Sequence, residues 1–391
     1  MWKLGPIRPR GLLIAVLFSV LLAAIYFASA GRYQLLCTLL FVGLVCVYFA
    51  VRERRRLQDV LVLLCSFFFG MAAVEGLALQ LDTHPLIVVT PGLVSPHRVL
   101  GWAPAHPGRF HEKRIERKTD RIIFEADYTI DKHLLRETIS APDGATVAFF
   151  GDSWTFGVGV EDKAAVPQSF ADLTGRKLRI LNLGFGAYGP QQYLREIETG
   201  LFDELLGPQL RLAVFTIAPF QAERTACKPL HIMEAPRYRL IDGEVLYQGF
   251  CTEGSTRQAM KWLWGTGFYP TYIEPITRIL HPQDMDLFLA VMSRTITLAK
   301  QKYHVPILIV YDPDRSDYLN QSGLKNEDIV RSFRAAGADV LEMDISNEVP
   351  ADAVTNIPGD GHPTALAQHA RAVVLKRYLE AKMSDLFLVR H

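Results

Sequence analysis

A serine that directly follows a short apolar run is the first residue in this sequence suited to covalent chemistry. The run Thr146–Phe150 leads straight into Gly151-Asp152-Ser153. Small, β-branched and aromatic residues in such a run predict a buried strand. Because open α/β sheets carry their chemistry at the carboxyl ends of the strands, we expect Ser153 on the turn that leaves this strand, as a nucleophile.

A second group of polar residues lies near the C-terminus, just ahead of an Ala-rich helical pattern. The sequence Asp360-Gly361-His362 supplies a carboxylate and an imidazole. A serine hydroxyl attacks a carbonyl when a base takes its proton, and a histidine oriented by an aspartate can be that base. Ser153, His362 and Asp360 are therefore the candidate nucleophile, base and orienting acid, with His369 as the rival histidine.

These two motifs, in this order and at this separation, resemble those of the SGNH, or GDSL-like, hydrolases. Members of that family are serine esterases and acyltransferases on a flavodoxin-like sheet, and the resemblance covers residues 144–382. In most of the family the Asp and His are three positions apart. The shorter spacing of Asp360 and His362 occurs among polysaccharide-modifying relatives.

The resemblance also implies an oxyanion hole with three hydrogen-bond donors. The family uses the backbone N–H of the nucleophile, here Ser153, and a glycine N–H after the second strand, where this chain has Ala187. The third donor is an asparagine side chain after the third strand. No asparagine stands there, so Gln221 is the candidate, because a carboxamide also donates an N–H.

Further polar and aromatic residues adjoin these blocks. Trp154 and Tyr188 are candidate substrate contacts. Arg224 either binds a substrate carboxylate or phosphate, or forms an ion pair with Glu223 or another acid. We expect Asn182 to tie the loop after the second strand to the nucleophile turn. The sequence contains no metal-ligand spacing and no phosphate-binding loop, so we expect neither metal nor cofactor.

Strand-like and helix-like segments alternate from Thr146 onward, which predicts a parallel sheet covered by helices on both faces. The predicted strands are Thr146–Phe150, Leu178–Leu183, Leu212–Ile217, Pro306–Tyr311 and Asp339–Met343. The predicted helices are Val166–Thr174, Gln191–Leu205, Met285–Tyr303, Asn326–Ala336 and Thr364–Lys382. Together they predict an α/β three-layer sandwich with a five-stranded parallel sheet, and the resemblance to SGNH hydrolases implies that this sheet is flavodoxin-like.

The N-terminal residues 1–80 are predicted to form a membrane anchor with three transmembrane helices. Three apolar segments approach the roughly 20 residues that cross a bilayer: Gly11–Ala30, Tyr33–Val51 and Val60–Leu79. Basic residues concentrate before the first segment and at 52–56, so the positive-inside rule puts the N-terminus in the cytoplasm. The three crossings then place the catalytic part outside the cytoplasm, in the periplasm or the extracellular space. The membrane is predicted to be a bacterial inner membrane. Alternatively, Ala28-Ser29-Ala30 ends a cleaved signal peptide, or one segment is a buried hairpin. Glu75, an ionisable residue in the third segment, is close enough to its end to reach water.

Residues 81–143 are predicted to be a linker and β-rich lead-in, and residues 144–391 the hydrolase-like domain with an insertion at about 225–280. The insertion contains an aromatic cluster. We expect this cluster either to line a sugar or acyl site or to pack in the core of the insertion. Its members are Trp262, Trp264, Phe268, Tyr269 and Tyr272. A hairpin turning at Asp242-Gly243 separates Cys227 from Cys251. These two cysteines are a disulfide candidate if their compartment is oxidising.

The sequence therefore predicts a membrane-anchored serine esterase that acts by acyl-enzyme chemistry outside the membrane, on an acylated envelope or extracellular glycan. A polysaccharide O-acetyltransferase with the same triad, or a degenerate glycan-binding or scaffold protein, is the alternative. Expected partners are the ester substrate, membrane lipid and an envelope biosynthesis protein. The formal net charge of +1 over 391 residues gives no argument for nucleic acid.

Overall fold

The computed structural model describes residues 18–26, 33–51, 55–253, 266–314 and 318–387. They divide into two compact units. The first, the anchor unit, contains the described residues up to 83 together with 266–278. The second, the sheet unit, contains the described residues from 84 to 253 and from 279 onward.

The sheet unit contains the following strands: β1 (Leu86–Val89), β2 (Ser95–His97), β3 (Gly101–Ala103), β4 (Gly108–Ile115), β5 (Ile122–Ile130), β6 (Thr146–Phe150), β7 (Arg179–Asn182), β8 (Leu210–Ile217), β9 (Pro236–Ile241), β10 (Glu244–Phe250), β11 (Ile307–Tyr311) and β12 (Asp339–Glu342). Helices of both units, in chain order, are α1 (Gln34–Ala50), α2 (Arg55–Leu81), α3 (Ser153–Phe156), α4 (Val166–Leu173), α5 (Pro190–Thr199), α6 (Asp203–Leu206), α7 (Gln221–Thr225), α8 (Glu274–Thr277), α9 (Pro282–Tyr303), α10 (Asn326–Ala335) and α11 (Ala365–Lys382).

Five parallel strands form the central sheet in the order β7-β6-β8-β11-β12. Numbered along the chain, this is the 2-1-3-4-5 order of flavodoxin-like folds. The predicted fold class is confirmed, and all five predicted strands agree with the observed ones to within two residues.

Both faces of the sheet are covered, which explains why its strands are apolar without alternation. On one face, Val147 and Phe149 of β6 belong to a buried cluster that includes Phe170 of α4 and residues of α11. On the other face, the ring of Phe150 stacks on that of Phe215 at 4.6 Å, and Tyr193 of α5 packs beside Phe215. The side chains of successive residues of β6 therefore pack into the apolar cores on opposite faces of the sheet.

The predicted helix Gln191–Leu205 is wrong in one respect. The structure has two helices there, α5 and α6, because α5 ends at Gly200 with φ 66°. This left-handed backbone conformation favours glycine and stops a helix.

The lead-in is β-rich, as predicted. Strands β1, β4 and β5 form an antiparallel sheet in the order β1-β4-β5. Arg136 connects it to the central sheet, because its backbone bridges Ile130 at the end of β5 on one side and Asn182 at the end of β7 on the other.

In the anchor unit, one described helix, within α2 (Leu57–Leu81), is long and apolar enough to be a membrane span or a signal sequence. The prediction of three such helices is therefore not met by the described residues. Helix α1 has only 17 residues, and most of the first predicted segment lies outside the described residues. Helices α1 and α2 pack closely, since a Cβ on Gly43 would lie 3.1 Å from the ring of Phe69.

The segment at about 225–280 was predicted as one insertion, but the structure divides it. Its hairpin, β9 and β10, belongs to the sheet unit and turns at Asp242-Gly243, with φ 51° and 83°. Residues 266–278 belong to the anchor unit. Trp262 and Trp264 lie outside the described residues, whereas the rings of Phe268 and Tyr272 contact each other at 5.5 Å.

Candidate active site

Ser153 lies at the first position of the short helix α3, directly after β6. Asp152 caps this helix, and its Oδ1 accepts a hydrogen bond from the Trp154 N–H at 3.0 Å. The turn is tight, because a Cβ on Gly151 would lie 1.9 Å from Oγ1 of Thr155. In the structure, Ser153 thus lies at the carboxyl edge of the sheet, where the sequence predicted it.

Asp360 and His362 face each other across Gly361. His362 Nδ1 is hydrogen-bonded to Asp360 Oδ1. Gly361 has φ 89°, a left-handed conformation that brings two side chains only two positions apart to the same side of the turn. Since Nδ1 is occupied by the aspartate, the neutral ring keeps its lone pair on Nε2, the nitrogen that a base of this kind uses.

The turn that carries His362 leads into α11, and α11 contacts α3 directly. Gln368 Nε2 donates to the carbonyl oxygen of Trp154 at 3.0 Å. Among the described residues, Ser153 Oγ makes no hydrogen bond to the His362 ring. The pairing of Ser153 with the Asp360–His362 couple therefore stays a prediction. The rival histidine, His369, is exposed on α11.

The predicted third oxyanion donor, Gln221, is turned toward protein acceptors. Its buried Nε2 donates to Asp152 Oδ2 at 3.1 Å and to the carbonyl oxygen of Thr216 at 3.5 Å. Arg224 Nη1 donates to the same carboxylate oxygen of Asp152 at 2.8 Å, and to the carbonyl oxygen of Tyr188 at 2.6 Å. Of the two roles considered for Arg224, the structure thus places it in an ion pair with another acid, Asp152.

Two backbone N–H groups predicted as oxyanion-hole donors, those of Ser153 and Ala187, lack an acceptor among the described residues. Their role as oxyanion donors stays a prediction. Ala187 adopts φ 64°, a left-handed conformation that a glycine would take without cost. Asn182 fixes its loop to the nucleophile helix as expected, donating to the carbonyl oxygen of Thr155 at 3.1 Å and accepting from the Gly184 N–H.

The two aromatic residues predicted to contact substrate differ in accessibility. Tyr188 is 2% exposed, and its hydroxyl donates to the carbonyl oxygen of Trp102 at 2.7 Å, so it serves the packing of the loop. Trp154 is half-buried, with its ring 5.7 Å from that of Phe220 and the Arg371 guanidinium 5.2 Å from its centre. Trp154 therefore remains the candidate contact.

Sequence reasoning missed Arg114, which touches the candidate triad. Its Nη1 donates to Asp360 Oδ2 at 2.5 Å, and its Nε to Glu112 Oε1 at 3.0 Å. Burial acts to raise the pKa of Asp360, but the hydrogen bond from His362 and the charge of Arg114 outweigh it and lower that pKa below its usual value. Arg114 is 246 positions from Asp360 in sequence, so no local pattern indicates the pair.

Arg136, noted above in the lead-in, holds the other end of the nucleophile helix. Its fully buried guanidinium donates to the carbonyl oxygens of Phe156 and Gly157 at 2.5 and 2.6 Å, and to that of Val160 at 2.7 Å. Nε pairs with Asp162 at 3.1 Å. Sequence reasoning did not indicate this role, because the carbonyl partners of Arg136 are 20 to 24 positions away in sequence.

No protein-family model matches the chain, and no curated protein matches it either. A protein of the G-D-S-L family from Desulfitobacterium hafniense DCB-2 is similar in structure, with 11% identity, a TM-score of 0.35, and a match covering 60% of this chain and 98% of that one. An acetyl xylan esterase from the rumen bacterium Butyrivibrio proteoclasticus has 14% identity and a TM-score of 0.33, over 64% and 66% of the two chains. A carbohydrate acetylesterase family member from Sinorhizobium meliloti has 14% identity and a TM-score of 0.34, over 61% and 99%.

The chain is thus similar to SGNH and GDSL-like hydrolases of known structure, as the two motifs predicted. The strand order itself establishes the fold. At identities this low, the likeness adds nothing about the reaction.

Proposed function

We propose that this protein is a serine esterase in which Ser153, His362 and Asp360 form an acyl-enzyme triad. The observation that carries the proposal is the hydrogen bond between His362 Nδ1 and the buried Asp360 carboxylate. This pairing leaves Nε2 as the basic nitrogen and stabilises the imidazolium that forms when the serine proton is taken.

The reaction follows from these positions in two balanced steps. Ser153 Oγ attacks the ester carbonyl carbon while its proton moves to His362 Nε2, and that proton then leaves with the alcohol as the ester C–O bond breaks. Water next gives a proton to the same nitrogen as its oxygen attacks the acyl carbon. The bond between that carbon and Oγ then breaks, the proton moves from Nε2 back to Oγ, and the acid leaves with Ser153 restored. The free N–H groups of Ser153 and Ala187 would stabilise the oxyanion in both steps.

For the substrate, we propose an acyl ester on an envelope or extracellular glycan. The similar acetyl xylan esterase and the carbohydrate acetylesterase family member act on acylated carbohydrates by their names. The half-buried indole of Trp154, next to the nucleophile, is a surface on which a sugar ring can stack.

For location, we propose that α2 anchors the chain in a bacterial cytoplasmic membrane with the sheet unit outside the cytoplasm. Support comes from the exposed apolar side chains of α2, among them Leu63 at 71% and Phe67 at 59%. The basic residues at 52–56 lie just before the apolar span Leu57–Leu81 of this helix and favour a cytoplasmic start.

The test is labelling of the detergent-extracted full chain with a fluorophosphonate probe. We expect wild type to label, and Ser153→Ala and His362→Ala to lose labelling. Matched controls are Ser384→Ala and His369→Ala, both of exposed residues, which should label like wild type. A folded wild type that does not label would refute the proposal and favour the glycan-binding alternative.

Labelling alone does not separate hydrolysis from transfer, because both use the same acyl-enzyme. The second arm supplies an acetylated glycan with and without an oligosaccharide acceptor and measures free acetate against acetylated acceptor. Release of acetate in the presence of acceptor supports the esterase. Acetylated acceptor as the main product would instead support the O-acetyltransferase.

A further inference from the structure

We propose that Arg114 is a positioning residue that fixes the Asp360 carboxylate against the His362 ring. The inference rests on the proposed function, since it names how the same site is oriented. The two oxygens of the Asp360 carboxylate have different partners. Oδ1 contacts His362 Nδ1, and Oδ2 accepts a hydrogen bond from Arg114 Nη1.

The first step of the argument is burial. The Asp360 side chain is 1% exposed and that of Arg114 is 17% exposed. A buried carboxylate is costly unless both oxygens are paired. Without Arg114, Oδ2 would lose the ion-pair partner that the structure gives it, and the carboxylate would be free to rotate away from the imidazole.

The second step is that Arg114 is itself held in place. Glu112 and Arg114 are two positions apart on β4 and so lie on one face of the strand. Arg114 Nε donates to Glu112 Oε1, and Glu112 Oε2 accepts from the Tyr128 hydroxyl at 3.0 Å. That hydroxyl in turn accepts from the Gly159 N–H at 3.0 Å.

The result is one hydrogen-bonded chain from the loop after the nucleophile helix to the histidine. In order, it runs through Gly159, Tyr128, Glu112, Arg114, Asp360 and His362. The lead-in strands β4 and β5 therefore connect the two halves of the site, which lie about two hundred residues apart in sequence. Such a chain fits a positioning role better than an isolated surface ion pair does.

The experiment measures the rate of fluorophosphonate labelling for the detergent-extracted full chain. We expect Arg114→Gln to slow labelling by about 10- to 100-fold. Arg114→Lys keeps the charge but lacks the planar fork, so its rate should also fall. The matched control is Arg109→Gln, on the same strand but 71% exposed, which should keep the wild-type rate.

The outcomes separate this inference from the proposed function. Labelling that does not depend on Ser153 refutes the proposed function, whatever Arg114 does. A wild-type labelling rate in Arg114→Gln, with labelling that depends on Ser153, refutes the Arg114 inference alone. If Arg114→Gln does not fold, Arg114→Lys decides, since a wild-type rate in that variant would overturn the positioning role.

A second readout needs no activity at all. The NMR signal of the His362 Nδ1–H proton in the full chain reports the hydrogen bond to Asp360. This signal should shift or be lost in Arg114→Gln and stay as in wild type in Arg109→Gln. An unchanged signal in folded Arg114→Gln would contradict the positioning role, whatever reaction the protein catalyses.

Discussion

At the scale of single residues, Gly361 determines whether an aspartate and a histidine two positions apart can work together. Its φ of 89° lies in the region that a Cβ penalises, yet a Cβ built there would meet nothing within 4 Å. The backbone angle alone, and not space, therefore requires glycine at this position.

We predict that Gly361→Ala separates Asp360 from His362. The strain of a left-handed alanine, about 1–2 kcal/mol, is relieved if the turn changes its backbone angles, and the two side chains then no longer face each other. Labelling by the fluorophosphonate should slow at least tenfold. Gly323→Ala is the matched control, because Gly323 has φ 71° and equally open surroundings. Equal labelling by the two variants would contradict the prediction.

The candidate residues that a sequence indicates most readily are those that follow a strand or precede a helix. Ser153, Asp360 and His362 belong to short motifs of this kind, so the local pattern made them candidates. Gln221 is a different case. Its side-chain amide fits an oxyanion donor by residue type, but in the structure Nε2 donates to Asp152. Arg114 was missed because its partner is distant in sequence.

At the scale of elements, the docking of residues 266–278 on α2 rests on one buried acid. Glu75, 1% exposed, accepts hydrogen bonds from the N–H groups of Gly267 and Phe268 at 2.6 and 2.8 Å. A carboxylate at this position also satisfies backbone donors at the start of the helical turn that begins at Tyr269. The interface explanation considered for Glu75, contact with water, gives way to this internal role.

We predict that Gly267→Ala disrupts this docking. A Cβ on Gly267 would lie 2.7 Å from the backbone nitrogen of Leu79, and a backbone atom cannot move aside as a side chain does. Overpacking of this kind costs about 1–3 kcal/mol, so limited proteolysis in detergent should cut the segment faster. The control is Gly70→Ala on α2, where a Cβ meets nothing within 4 Å. Equal protection of both variants would exclude this close packing.

Helices and strands were predictable where one periodicity persisted, as in β6 or α11. The prediction failed where a single residue changed the path of the chain. Gly200 divides the helix predicted over 191–205, and the insertion at 225–280 splits between two units because Glu75 holds its second half. Neither event leaves a periodic signal in the sequence.

At the scale of the whole molecule, the strand order explains why the site forms where it does. Strand β6 lies between β7 and β8, so the loops after these three strands meet at one edge. The alternation of strands and helices predicted a parallel sheet, whereas the strand order was implied only by the family resemblance. Strand β4, which carries Arg114, lies outside the central sheet, and its attachment through Arg136 could not be derived from that alternation.

A disulfide in the sheet unit bears on where that unit resides. Cys227 and Cys251 are joined, with their Cα atoms 5.7 Å apart, at the two ends of the segment that contains the β9–β10 hairpin. Disulfides persist in oxidising compartments and are rare in the cytosol. The free cysteines among the described residues, Cys37, Cys46 and Cys65, all lie in the anchor unit.

We predict that Cys227 and Cys251 resist alkylation in intact cells until a reductant is added. The reason is that the disulfide forms if the sheet unit lies outside the cytoplasm, and its two sulfur atoms are then not free to react. The bond closes a loop with a sequence separation of 24, so it should contribute about 3 kcal/mol to the free energy of unfolding. The double variant Cys227→Ala/Cys251→Ala should therefore unfold at a lower temperature, while Cys65→Ala serves as the control. Alkylation of both thiols without reductant would instead place the sheet unit in a reducing compartment, and the proposed orientation of the anchor would have to be reversed.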